Sequence, residues 1–317
     1  MLNLRERARR MAVRLAEEWF ATCAGCEISI LDIGEPLLDI LKQVEIVHMP
    51  VLMDHKLFGQ AGERTEMEIP EADVGLISGS IRNEEHRHVA EEMRRKCKVL
   101  ISLGSCACHG GIPALANLGT SDDILNMAYR DAITTDRNGI PREGIPPLTD
   151  RVYALDEIVP VDMMLPGCPT TPEMLAGALT ALLAGKEYKL AAKSVCDDCP
   201  LQREKKVLST VKRRLEGPKF TPGHPLSEMQ CLMEQGYLCL GPVTRGGCGG
   251  SERVPRCIRA YMTCEGCFGP LSTKVNPMVD MVGALATVGI DAEQIPDRSA
   301  TLNRFSGAGR LRPVGKR

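Results

Sequence analysis

Two cysteines three apart, in the stretch CAGCEIS from Cys23 to Ser29, follow directly on an apolar run that ends at Trp19 and Phe20. Such a pair can close a disulfide or hold a metal, and the choice recurs along the chain, which carries 14 cysteines in 317 residues against six histidines. Disulfides persist in oxidising compartments, whereas cytosolic thiols stay reduced. The first twenty residues include Arg9 and Arg10 but lack the apolar run of ~7–15 residues and the small-residue cleavage site of a secretory signal. No stretch approaches the ~18 uninterrupted apolar residues of a spanning helix, and the ending GRLRPVGKR is basic and polar. The sequence reads as a cytoplasmic protein with no membrane anchor, its thiols committed to metal.

A net charge of −2 and 3% aromatic residues exclude nucleic acid as a partner, because neither a basic surface nor stacking platforms are provided. With 44% hydrophobic residues the chain can build a sizeable core. The elements that must position the thiols are legible up to about residue 190. VEIVHM, VGLIS, VLISLG and VDMMLPG are short apolar runs bounded by Gly or Pro, as buried parallel strands are. Between them, EEHRHVAEEMRRK places Val89 and Met93 four apart, and PEMLAGALTALLAG opens with Pro172 and closes at Gly185, the start and stop signals of a helix. This alternation predicts an α/β, doubly wound parallel sheet, in which functional groups gather beyond the carboxyl ends of the strands.

Three cysteine stretches fall at such ends: WFATCAGC after the first strand, VLISLGSC at a later one and MMLPGCP at the last. Cys23, Cys26, Cys106 and Cys168 are expected to converge there, and four thiols match a cluster site ligated by four cysteines. One such cysteine is explained equally well as an ordinary buried residue. Four of them flanked by Gly25, Gly104, Gly167 and Pro169 are not, since glycine permits close approach of backbone to a bulky ligand. Cys97 and Cys108 are read as structural. Glu27 is read as a solvated carboxylate favoured by the start of its helix, with interface contact or proton relay as the alternative.

From residue 196 the texture changes to CDDCPLQREKK, CLMEQGYLC, RGGCGG, PRC and TCEGCFGP, eight further cysteines with little periodicity. A domain from 191 to 317 that buries little apolar surface would take its folding free energy from bound metal, beside a first domain spanning 1–190. Zinc competes here, because the pairs Cys196/Cys199 and Cys264/Cys267 have zinc-ribbon spacing. The four-thiol site of the first domain and the trailing proline of CEGCFGP favour iron–sulfur.

CAGCE, GSCA and PGCP together resemble the small subunits of nickel-iron hydrogenases. EQGYLCLGPVTRGGCG and CEGCFGP are most similar to the gamma subunit of the cytoplasmic methyl-viologen-reducing, deazaflavin-non-reducing enzymes associated with heterodisulfide reductase. The resemblance spans roughly residues 12 to 275. It implies a flavodoxin-like domain with a proximal cluster, followed by a mostly irregular cysteine-rich domain with medial and distal ones, three 4Fe-4S clusters in all. By position it implies Cys23, Cys26, Cys106 and Cys168 as proximal ligands, Cys196, Cys199, Cys231 and Cys239 as distal, and Cys248, Cys257, Cys264 and Cys267 as medial. Respiratory members have histidine where this chain has Cys196, and proline at a three-iron medial site where it has Cys257. Both changes favour fully thiolate-ligated four-iron clusters.

The resemblance further implies an oxidoreductase subunit that carries electrons for a large subunit holding the nickel-iron centre, toward an acceptor of heterodisulfide-reductase type. A deazaflavin-reducing hydrogenase, a sulfhydrogenase, or a zinc-stapled scaffold without redox activity are the alternatives. The two termini are read as solvated, and RNGIPREGIPPLTD as a loop.

Overall fold

The computed structural model describes residues 12–136, 139–204, 210–212, 217–272 and 276–310. It divides into two compact units, one of residues up to Tyr188 together with those from Ala308 on, the other Lys189–Gly307.

In the first unit, five parallel strands lie in the order β2-β1-β3-β5-β7: β1 Val13–Trp19, β2 Val44–His48, β3 Ala72–Ser78, β5 Cys97–Leu103 and β7 Met163–Leu165. This is the flavodoxin-type order, with the topological switch at β1/β3. The central strands are buried on both faces, so β3 reads ADVGLIS with only Asp73 partly exposed. A separate antiparallel pair joins β4 Ile81–Asn83 to β6 Leu148–Tyr153. The stretch expected as a loop therefore ends in a strand from Leu148, because β4 supplies a pairing edge that local composition does not reveal.

Helices α1 Gly25–Leu31, α2 Glu35–Leu41, α3 Glu84–Lys96, α4 Gly104–His109, α5 Ser121–Asn126 and α6 Pro172–Leu183 complete the unit. Asn83 Oδ1 caps α3 by accepting from the His86 N–H at 2.8 Å. Glu84 and Glu85 in its first turn and Arg94–Lys96 in its last complement the helix dipole. Its inner face, Val89, Ala90 and Met93, packs with Ile77, Leu100 and Leu155 into a fully buried core. Pro172 opens α6, the Thr171 hydroxyl caps it, and Gly185 in the left-handed region follows its end.

The second unit holds α7 Val195–Asp198, α8 Arg256–Arg259, α9 Pro277–Thr287 and α10 Arg298–Asn303 among turns and 3-10 segments. The expectation that this part buries little apolar surface is corrected. Met281 and Leu285 of α9 are fully buried with Val195, Leu240, Ile290, Ile295 and Leu302, and Cys239 and Cys264 belong to the same cluster. The solvated reading of the C-terminal stretch is corrected as well, for Leu302, Asn303 and Ala308 are buried. Residues 1–11 and 311–317 lie outside the described residues.

Candidate metal centre

Trp19 of β1 pairs with Ser78 of β3, Ser78 with Leu103 of β5, and Leu103 with Leu165 of β7. Four parallel strands thus end in register, and the chain leaves three of those ends carrying predicted thiols. Cys23 and Cys26 follow β1 at the start of α1, Cys106 follows β5 in α4, and Cys168 follows β7. Cys106 feels the charge of Cys168 and Cys23, Cys168 that of Cys23, and Cys26 that of Cys106 and Cys108, while among the described residues no three such side chains stand close enough together to hold a metal ion as they are placed. Burial pushes the Cys106 thiol up to about 12 and the Cys26 thiol further. Without metal these two groups hold their protons, and a bound metal must displace them.

Glycine makes the approach possible. Gly104 has φ +81°, and a Cβ there would run into Cys26 Sγ. A Cβ on Gly111 would stand 2.8 Å from Cys106 Sγ. The Thr170 N–H donates to Cys26 and the Ile112 N–H to Cys106, bonds that favour thiolate over thiol.

In the second unit Cys196 sits in α7, whose start is fixed by a capping box between Ser194 and Asp197. Gln202 N–H bonds Met229 O at 2.8 Å and Cys231 N–H bonds Gln202 O at 2.7 Å, bringing Cys231 beside Cys199. Cys196, Cys199, Cys231 and Cys239 line one cavity of about 190 Å³, walled by Leu201, Leu232 and Met233. Burial raises the Cys196 thiol to about 11 and the Cys239 thiol to about 12.

The third set is linked less directly. Cys257, in α8, feels Cys248, while Cys264 feels Cys239 and Cys267. The two pairs meet through Glu265, whose N–H donates to Cys257 Sγ directly after Cys264 in the chain. Gly266 N–H donates to Cys264 Sγ, so the 264–267 loop turns its amides toward sulfur.

Cys97 opens β5, its sulfur packed where a Cβ on Gly75 would fall. Cys108 is in α4 and not in an extended loop; its sulfur meets the Ser102 hydroxyl at 3.2 Å and also feels the charge of Cys106.

The solvated reading of Glu27 is corrected. It is 5% exposed and accepts the Ser78 hydroxyl. Glu17 of β1 is wholly buried against it, neither oxygen meeting a donor. Burial, reinforced by Glu27 and then Glu18, pushes the Glu17 carboxyl up to about 9, so it carries a proton at neutral pH. Glu18 Oε2 meets His48 Nε2 at 3.0 Å, and His48 Nδ1 meets His55 Nδ1 at 2.9 Å, a hydrogen-bonded chain from the interior outward. The sequence signal for this cluster was two adjacent carboxylates inside an apolar strand.

Residues 23–182 match the family model described as NADH ubiquinone oxidoreductase, 20 Kd subunit. The chain is 41% identical over 93% of its length, and 95% of the relative's, to the vhu G subunit of the F420-non-reducing hydrogenase of Methanocaldococcus jannaschii. It is 36% identical to the G subunit of the F420-non-reducing hydrogenase of Methanothermobacter marburgensis, over 95% of this chain and 96% of that one. A chain of the crystal structure of NAD+-reducing NiFe-hydrogenase in the H2-reduced state aligns with a TM-score of 0.51 at 32% identity, covering 56% of this chain and 93% of that one. Strand order, the thiols at the strand ends and similarity over nearly the whole length lead to one conclusion: the chain belongs to the nickel-iron hydrogenase small-subunit family, with the G subunits of F420-non-reducing hydrogenases.

Proposed function

We propose that this chain is the cytoplasmic electron-transfer subunit of a nickel-iron hydrogenase and binds three 4Fe-4S clusters. Cys23, Cys26, Cys106 and Cys168 would hold the proximal one, Cys248, Cys257, Cys264 and Cys267 the medial, and Cys196, Cys199, Cys231 and Cys239 the distal. The observation that supports the reading is that the loops carrying these four cysteines leave three strand ends that lie in register at one sheet edge, with Gly104 and Gly111 clearing space at the sulfurs of Cys26 and Cys106. The apolar cavity lined by the four distal cysteines supports it in the second unit.

Bound clusters would supply one-electron transfer. The protein's own contribution is to present thiolates, to donate amide hydrogens to their sulfurs and to exclude water, all of which set potential. Hydrogen would be cleaved at the nickel-iron centre of the large subunit, which would cover the proximal site, and electrons would leave by the distal site toward an acceptor of heterodisulfide-reductase type. The test is hydrogen-dependent viologen reduction by the two-subunit complex with and without Cys23→Ser and Cys106→Ser together. Dye reduction should disappear while isotope exchange of hydrogen at the large subunit persists. Undiminished dye reduction by the double variant would refute the assignment.

A further inference from the structure

Glu17 of β1 and Glu27 of α1 meet in the interior, 0% and 5% exposed. Glu27 Oε1 accepts the Ser78 hydroxyl, but Glu27 Oε2 and both oxygens of Glu17 are buried without a donor. The two carboxyls line a cavity of about 10 Å³ whose other walls are apolar: Ile30 and Leu31 of α1, and Met49, Val51 and Leu52 in the turn after β2.

These oxygens need more hydrogen than the protein supplies. Glu17 can share its own proton with Glu27, which satisfies Glu27 Oε2. A protonated carboxyl has only one hydrogen to give, so the second oxygen of Glu17 still lacks a donor, and no apolar wall can provide one. With no proton between the two groups, all three oxygens lack one. Water fits this deficit. It brings two hydrogens, internal waters bond two to four otherwise unsatisfied polar groups, and roughly 10–15 Å³ is the space that one requires. Because the two carboxyls are the polar groups lining the cavity, the hydrogens of a water there can go only to them.

We infer that one internal water occupies this cavity and bridges Glu17 to Glu27, tying β1 to α1, the helix in which Cys26 lies. A single water does not restore bulk solvation, so the Glu17 carboxyl stays raised.

The experiment is a crystal structure of the two-subunit complex at a resolution that shows ordered waters, with a second data set from crystals soaked in thallium(I), whose anomalous signal reports monovalent cations. The parent should show one peak within hydrogen-bond distance of both carboxyls and no thallium there. Glu17→Gln keeps an acceptor oxygen in place and should keep the peak; Glu17→Leu removes one of the two partners and should lose it. Glu17 and Glu27 in direct contact with no peak beside them would overturn the inference. A thallium signal would do so too, by making this a cation site, and a peak that persists in the Leu variant would remove the bridge. Should the Leu variant fail to fold, the parent and Gln structures decide alone.

Discussion

Glu17 and Cys257 carry the sharpest consequences for single side chains. A carboxyl whose folded value is near 9 against an ordinary 4.5 keeps its proton in the folded state and loses it in the unfolded one between those limits. Its contribution to stability is full below about pH 4.5 and is lost as pH rises toward 9. Glu17→Gln carries no such proton, so its thermal midpoint at pH 9 should exceed that of the parent, while the two converge at pH 5. A parent and variant with parallel pH profiles would place the Glu17 carboxylate in contact with water. Cys257 is the thiol the resemblance sets against a proline at three-iron sites. Cys257→Pro should leave Cys248, Cys264 and Cys267 with one thiolate fewer, and oxidised protein should show a new three-iron signal in paramagnetic resonance. An unchanged four-iron spectrum would make Cys257 a spare thiol.

Among the elements, the C-terminal segment shows what a side chain can anchor. Asn117 is buried at 3% exposure; its amide donates to Val152 O at 2.9 Å and Ala308 O at 3.0 Å, and its carbonyl accepts from Val152 N–H at 2.8 Å. Asn117→Ala strands these buried backbone groups and should cost about 2–3 kcal/mol. Limited proteolysis should then cut first around Ala308; parent-like resistance would show that the remaining contacts, such as Arg151 Nη1 to Gly309 O, hold the segment alone. The same segment marks where local pattern stops being informative. β1, β3, β5 and α3 were legible because burial on both faces, helical spacing and caps are written locally. The docking of Ala308 depends on a partner nearly two hundred positions away, and the burial of Glu27 in α1 on Ser78 of β3, so neither leaves a local trace. The apolar face of α9 was legible in principle: Met281 and Leu285 are four apart.

At the scale of the molecule, thiol sets follow two designs. The first unit places its four cysteines by topology, since parallel strands ending in register deliver separate loops to one edge. The second uses short local devices, a capping box at Ser194, the Gln202–Cys231 pairing and the amides of the 264–267 loop. Its apolar cluster around Met281 and Leu285 supplies part of the folding free energy, so metal need not supply all of it. Among the described residues no helix is long and apolar enough to cross a membrane. The central claim is that twelve of the 14 cysteines fill three four-thiolate cluster sites. It is tested most directly by metal and sulfide analysis of the anaerobically purified complex, after subtracting the large subunit's own iron. About twelve irons and as many acid-labile sulfides per chain are predicted; stoichiometric zinc with negligible sulfide would contradict the account.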